Sequence, residues 1–271
     1  MAQKPGKQLL QASFALFRQD PKMIWLPIAS GFLSILGAII VGGVVTALLA
    51  LVNLSNAFYL VGLFAFLLTV AFVSAQFNVA MVFAATDRIE GRTPTIKGSL
   101  AQAWKRRGKI LRWAVVSAVV GVVISAIEDR MGTVGKIMVG VLGGAAWGVA
   151  TFFVIPVLAF EDLGPLAAVG HSAALLKQRF GTVAKASARF GFLFLAWLLP
   201  AVAVIVAGVL VRHISVSAAV ALIVLGVVGI ASVVAVARTA SIYLRTVLYR
   251  FATGQSVPDL GVDLGQAFQK R

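Results

Sequence analysis

Few side chains in this sequence are of the types that carry chemistry, and their spacing argues against an enzyme. The chain has 2 histidines, His171 and His213, and no cysteine, which excludes thiolate metal sites and cysteine nucleophiles. Ser172 follows His171, but a nucleophile elbow needs a preceding strand and a glycine where this chain has Ala174. We therefore expect His171 and Ser172 to lie on the surface of a helix.

The carboxylates are equally unpromising as an acid and base couple. They include two adjacent pairs, Glu128 with Asp129 and Glu161 with Asp162. Neighbouring residues on a helix point in different directions, so neither pair suits proton transfer at one reacting group. The chain also lacks a Walker lysine motif, a dinucleotide-binding glycine pattern and a His-Glu-x-x-His zinc motif. The sequence thus predicts no catalytic residue, no cofactor and no metal site.

The elements that would position any site are apolar helices. The chain is 60% hydrophobic and 12% charged, whereas a soluble protein is typically about a quarter charged. From Met23 to Thr86 there is no charged residue and no histidine, and one bilayer-spanning helix needs only about 20 apolar residues. These runs lack the alternation of a barrel strand, so their backbone groups must be satisfied within helices. The sequence predicts an all-α polytopic membrane bundle, a single membrane domain over 1–271.

Charge placement gives this bundle an orientation. Uncharged runs predict six transmembrane helices at 23–51, 58–85, 110–127, 137–160, 190–211 and 214–237. Of the 24 Lys and Arg residues, all but Arg130, Lys136 and Arg212 then fall on one side. Cytoplasmic loops are enriched in basic residues, so we expect both termini, including a tail over 251–271, to be cytoplasmic, with the bundle in an inner or plasma membrane. Because topology accounts for the net charge of +15, we expect no nucleic-acid partner.

A weak internal repeat groups the spans into pairs. Ungapped segments at 13–22, 99–108 and 172–181 each begin Ser-x-Ala and become basic about five residues later. Each leads into two spans, which predicts three transmembrane hairpins, each preceded by a cytoplasmic amphipathic helix, in repeats over 6–85, 94–160 and 165–250. The apolar stripe of the third helix is formed by Leu166, Val169, Ala173, Leu176 and Phe180. Such a helix fits either an interfacial position or a re-entrant cap beneath the spans.

Two sets of charged residues are candidates for contacts at the cytoplasmic face. A basic cluster suited to anionic lipid headgroups is formed by Lys105, Arg106, Arg107, Lys109 and Arg112. The last span continues as a helical stripe that carries Arg238, Arg245 and Tyr249. Glu161 and Asp162 either pair with these arginines or are solvated loop charges.

Within the spans, polar and glycine residues indicate helix packing. Gln76 and Asn78 are the most polar side chains well inside a predicted span, and they fit interhelical hydrogen bonds or the lining of a solute path. Glycines recur every fourth residue at Gly140, Gly144 and Gly148, which lets another helix approach closely, within the chain or in a homo-oligomer. Pro156 and Pro200 are expected to kink their helices.

Two motifs resemble a known family. They are Val-Ile-Pro-Val-Leu-Ala-Phe-Glu-Asp-Leu-Gly-Pro at 154–165 and the stretch at 239–258, which contains Leu-Tyr-Arg-Phe-Ala-Thr-Gly. The chain is similar to a family of uncharacterised prokaryotic six-span membrane proteins, a domain of unknown function. It is also similar in style to the repeated-hairpin membrane domains attached to some glycerophosphodiester phosphodiesterases. The resemblance implies the six-span architecture and provides no functional residues.

Two functions fit these observations. The first is a non-enzymatic permease-like or channel-like component of a larger assembly, with membrane lipids, other membrane proteins or a second copy as partners. The second is a membrane scaffold or lipid-organising protein that binds anionic lipid through its basic cytoplasmic face.

Overall fold

A computed structural model describes residues 19–51, 57–179 and 183–255, and these residues form helices joined by short turns. Within these described ranges, a 3-10 turn at Pro21–Ile24 precedes nine α-helices. The helices are α1 Trp25–Leu51, α2 Ala57–Ile89, α3 Ile96–Lys105, α4 Arg107–Glu128, α5 Thr133–Ala150, α6 Val154–Phe160, α7 Pro165–Arg179, α8 Val183–Val211 and α9 Val216–Ala252. No strand occurs in these ranges, so the predicted all-α class is confirmed. Most of the Ser-x-Ala segment at 13–22, and the tail after 255, lie outside the described residues.

In the part of the chain that the structure describes, five helical segments are long and apolar enough to cross a bilayer, as a multi-pass membrane protein requires. They are Pro21–Leu48, Leu60–Ile89, Arg107–Glu128, Gly135–Phe160 and Val216–Ala252. The predicted span at 190–211 contributes a shorter apolar helix, Ala196–Val211. The arrangement of six spans in three hairpins therefore stays a prediction.

The predicted span at 137–160 is not one continuous helix. α5 ends at Ala150, residues 151–153 form a turn, and α6 begins at Val154. Pro156 explains the position of this break, because a proline ring clashes with the carbonyl of the residue four positions earlier, here Phe152. α6 is buried from Val154 to Ala159, so it belongs to the core of the bundle. Pro200, in contrast, lies inside the uninterrupted helix α8.

The core of the bundle lies at one end, where the C-terminal parts of α2, α6 and α9 converge. One aromatic side chain from each helix marks the meeting point. The ring of Phe160 packs edge-on against Phe83, with centroids 5.9 Å apart, and stacks on Tyr249 at 5.8 Å. Elsewhere α1, α8 and α9 expose large apolar side chains, such as Phe32 and Leu210, which suits contact with lipid.

Two single glycines allow the closest helix contact, between α8 and α9. A Cβ on Gly208 would lie 3.0 Å from the carbonyl oxygen of Ala219, and one on Gly226 would lie 2.8 Å from that of Ala201. Because real Cβ atoms are almost never that close to another atom, only glycine fits these two positions at this helix separation.

The glycine stripe of α5 does not take part in such a contact. A Cβ on Gly144 or Gly148 would meet nothing within 4 Å, and one on Gly140 would meet the side chain of Glu128. The contact within the chain that was expected at Gly144 and Gly148 is therefore absent from the described part of the structure. A contact with a second copy stays a prediction.

Candidate functional site

Ten acidic and basic side chains of the described residues form ion pairs over the packed end of the bundle, and we call this group the charged end. Its members are Asp20, Asp87, Arg88, Glu90, Arg92, Lys109, Glu161, Asp162, His171 and Arg250. They come from the segment before α1, from α4, α7 and α9, and from the residues that end α2 and follow α6. The charged end therefore ties together segments that are far apart in the sequence.

Arginines fasten both ends of the chain's described part to α2. Arg88 donates through Nε and Nη2 to the two carboxylate oxygens of Asp20, a two-point contact that fixes the segment before α1. Arg250, near the end of α9, lies 2.8 Å from Glu90. The hydrogen bond from Arg250 holds the pKa of the Glu90 carboxyl below its usual value, and Arg92 acts in the same direction. Neither contact was visible from the sequence, because the partners are 68 and 160 residues apart.

Glu161 joins three helices. The Tyr249 hydroxyl donates to Glu161 Oε1 at 2.5 Å, and Nε2 of His171 lies 3.2 Å from the same oxygen. Lys109 donates to the Glu161 carbonyl at 2.9 Å and pairs with Asp162. The hydrogen bond from Lys109 lowers the pKa of the Asp162 carboxyl. Of the residues on the α9 stripe, Tyr249 contacts Glu161, and no arginine of the stripe is seen to pair with Glu161 or Asp162 among the described residues. Asp162 pairs with Lys109 instead.

The prediction that Ser172 lies on the surface of a helix was wrong, whereas the side chain of His171 is 38% exposed. Ser172 is fully buried, and its Oγ accepts a hydrogen bond of 2.9 Å from the backbone N–H of Phe153. That amide lies at the break between α5 and α6, one residue before α6 begins at Val154. Ser172 therefore binds the backbone at the break, and α7 is docked on α6.

The predicted apolar stripe of α7 is buried only in part. Leu176 is buried and Val169 packs against the core, whereas Leu166 is 73% exposed and Ala173 is exposed as well. Phe180 lies outside the described residues. The buried face also includes Ala168 and Ser172, which the prediction left out. Its small residues let α7 pack closely against the bundle, which is a constraint that counting large apolar residues does not detect.

Gln76 is buried among apolar residues without any hydrogen bond. Its side chain is 6% exposed, and among the described residues neither Oε1 nor Nε2 has a partner. The expected interhelical hydrogen bond at Gln76 is therefore not made. Asn78, two residues further along α2, is half-buried. A buried amide without partners is costly, by about 1–3 kcal/mol, and usually indicates a water, a ligand or a functional role.

The basic cluster lies on an ordered support at the α3–α4 junction. Thr95 caps α3, accepting a hydrogen bond of 3.1 Å from the N–H of Gly98, and Ser99 and Ala103 are buried beneath it. Trp104 is 54% exposed, and the Arg107 guanidinium lies 5.7 Å from the centre of its ring.

Four of the five cations predicted in this cluster face outward. Lys105, Arg107 and Arg112 are exposed and Arg106 is half-buried, and none of them forms an ion pair in the described ranges. Lys109 differs, because it is engaged by Asp162. We call the outward-facing set of Trp104, Lys105, Arg106, Arg107 and Arg112 the basic surface.

Within the described residues, no group of three or more His, Cys, Asp or Glu side chains is placed to hold a metal ion.

Comparison with known proteins identifies a family and no activity. No curated protein and no solved structure matches the chain. A family model described as a family of unknown function, DUF6159, matches residues 57–257, which include α2 to α9. The uncharacterised family predicted from the motifs at 154–165 and 239–258 is confirmed, and the chain belongs to the family of unknown function DUF6159.

Proposed function

We propose that this protein is a multi-pass integral membrane protein, without enzymatic activity, that organises anionic lipid at the cytoplasmic face of the membrane. The observation that supports this function is the basic surface. Four outward-facing cations follow an exposed tryptophan in the sequence, one of them, Arg107, lies over its ring, and the helix that carries the tryptophan is capped and docked on the core. Tryptophan and arginine are the residues that anchor proteins at the level of lipid headgroups.

Charge balance favours lipid as the occupant of the basic surface. The nearest acidic side chain among its described neighbours, Asp162, is already paired with Lys109. Each exposed basic residue near an anionic leaflet contributes about 1 kcal/mol, so four cations would contribute about 4 kcal/mol at low salt. The exposed apolar surfaces of α1, α8 and α9 support a location of the same molecule in the bilayer.

Lipid that co-purifies with the full chain tests this proposal. The protein is extracted in mild detergent, and phosphatidylglycerol and phosphatidylethanolamine are quantified by mass spectrometry. Changing Lys105, Arg106, Arg107 and Arg112 together to Gln should lower the retained phosphatidylglycerol several-fold and leave phosphatidylethanolamine unchanged.

The control variant neutralises the three basic residues that the sequence predicts on the opposite side of the membrane, Arg130, Lys136 and Arg212. This triple Gln variant should keep the phosphatidylglycerol of the wild type. Equal retention by the basic-surface variant, or an equal loss in the control, would contradict a specific lipid-organising role.

A permease-like function is the second candidate, and Gln76 is the observation that favours it. A solute that passes through the bundle would supply the hydrogen bonds that the buried Gln76 amide lacks among the described residues. Stopped-flow swelling of proteoliposomes with glycerol, urea and small amino acids tests this function. Gln76→Leu should slow any protein-dependent swelling at least tenfold, whereas Thr46→Val, an exposed change on α1, should not alter it. Swelling no faster than that of empty liposomes would exclude these solutes as substrates.

A further inference from the structure

Arg245 is a charged side chain inside the bundle without an anion. Its guanidinium carbon lies 4.6 Å from the ring centre of Phe152, at the break between α5 and α6. Its Nε is buried and has no hydrogen-bond partner, and no ion pair to Arg245 exists among the described residues. A cation–π contact contributes about 0.5–2 kcal/mol, whereas burying an unpaired charge costs several kcal/mol. The contact with Phe152 therefore compensates only part of the cost.

The chain has no described carboxylate to spare for Arg245. It contains 9 acidic residues, and 7 of them lie in the described ranges. Five of these are engaged by other side chains at the charged end: Asp20, Asp87, Glu90, Glu161 and Asp162. The other two described carboxylates, Glu128 and Asp129, lie at the opposite end of α4. The remaining two acidic residues, Asp259 and Asp263, lie outside the described residues.

A second arginine lies on the same face of α9. Arg238 precedes Arg245 by seven residues, which is two helical turns or about 10.5 Å along the helix. It is exposed and has no ion pair among the described side chains. Arg245 itself lies about 7.5 Å from Arg250 along α9, away from the charged end. If the charged end is at the membrane surface, Arg245 lies just below it, at the depth that headgroup phosphates and glycerol occupy, and Arg238 lies two turns deeper, about 18 Å from Arg250 along α9.

We propose that Arg245, assisted by Arg238, binds a phosphate-type oxyanion beside the break between α5 and α6. A guanidinium presents a planar set of donors that matches phosphate oxygens, and this match is better than that of a lysine ammonium. The oxyanion belongs either to a phospholipid headgroup or to soluble phosphate. This site is on α9 and the basic surface is on α3 and α4, so neither depends on the other.

The test compares two sources of phosphate on the full-length protein. Delipidated protein in a neutral detergent receives either inorganic phosphate, against chloride at equal ionic strength, or dilute phosphatidylglycerol. Thermal stability and lipid retained in native mass spectrometry are measured. The wild type should gain several degrees from at least one source, because a ligand that binds only the folded state stabilises it.

Arg245→Gln should abolish this gain, and Arg245→Lys should keep only part of it. Because Arg245 is half-buried and its Nε is enclosed, Arg238→Gln, at an exposed position, provides a second variant that should fold normally. It should weaken phosphate or lipid binding several-fold, while Arg212→Gln, at an exposed arginine elsewhere, should bind as the wild type does. A response to inorganic phosphate alone identifies a soluble anion, and a response to lipid alone identifies a headgroup.

Two results would overturn the proposal. In the first, Arg245→Gln and Arg238→Gln both gain as much stability as the wild type. In the second, the wild type gains stability from neither phosphate source. In addition, the double variant Asp259→Asn with Asp263→Asn is destabilised as much as Arg245→Gln, and the triple variant loses no further stability. The anion would then be a carboxylate of the chain itself.

Discussion

Two buried tyrosines on α9 allow the contacts at the charged end to be tested by removing a single oxygen. The hydroxyl of Tyr249 donates to Glu161, whereas the hydroxyl of Tyr243 is buried without a partner in the described structure. A change from tyrosine to phenylalanine keeps the ring and removes only the hydroxyl. Tyr249→Phe should therefore destabilise the protein, and Tyr243→Phe should stabilise it.

The expected magnitudes follow from the surroundings of each hydroxyl. A hydrogen bond to a charged group contributes about 1.5–3 kcal/mol. The ring of Tyr249 would stay stacked on Phe160 at 5.8 Å, so no cavity opens. Glu161 is 26% exposed and keeps His171, so water can replace part of the lost contact, and we expect a loss of about 1.5 kcal/mol. Tyr243→Phe removes a buried donor without an acceptor and should gain about 1 kcal/mol.

The free energy of unfolding can be measured by titrating sodium dodecyl sulfate into mixed micelles and following fluorescence of the 5 tryptophans. A double-mutant cycle with Glu161→Gln separates the contact from other effects of the substitutions. The coupling between Tyr249→Phe and Glu161→Gln should be about 1 kcal/mol, and that between Tyr243→Phe and Glu161→Gln about zero. Equal shifts for the two phenylalanine variants, or no coupling in the first cycle, would refute the role of the Tyr249 hydroxyl.

The same titration tests two further contacts. Gly226→Ala puts a Cβ 2.8 Å from the carbonyl oxygen of Ala201, so it should lower the free energy of unfolding by about 2 kcal/mol. In Gly148→Ala the Cβ meets nothing within 4 Å, so this control should leave the free energy of unfolding unchanged or raise it by up to about 1 kcal/mol. Because the hydrogen bond from Arg250 lowers the pKa of Glu90 below the ordinary value of 4.5, Glu90 stabilises the fold above about pH 4.5, and this stability is lost as the pH falls further. Glu90→Gln should therefore flatten the loss of stability between about pH 4.5 and 3; an acid limb as steep as that of the wild type would contradict this assignment.

The long apolar helices were predictable because each uncharged run must satisfy its own backbone. The predicted span at 58–85 corresponds to α2 at Ala57–Ile89, and the one at 110–127 corresponds to α4 at Arg107–Glu128. The ends differ because charged residues continue a helix once it has left the apolar region. Arg88 extends α2 and Arg107 begins α4.

The candidate site was less predictable because it is made by contacts between distant segments. Pro156 indicated a kink, but the helix breaks completely, and the Phe153 amide at the break donates to Ser172, 19 residues away. The same contact selects which face of α7 is buried, so Leu166 and Ala173 of the predicted stripe face outward while Leu176 stays in the core. A periodic pattern identifies an amphipathic helix reliably only where large side chains, and not a buried hydroxyl, determine how it docks.

The position of the core at the charged end has a physical cause that also bears on function. In lipid, apolar helices gain little from packing against one another, so close packing depends on small residues and polar contacts. Here the contacts that join distant segments, made by Arg88, Glu161 and Arg250, all lie over the meeting point of α2, α6 and α9. That end is consequently held at many points, while much of α1 and α8 presents its side chains outward. A rigid end with outward-facing cations favours holding lipid in place, whereas transport requires two arrangements of packed helices.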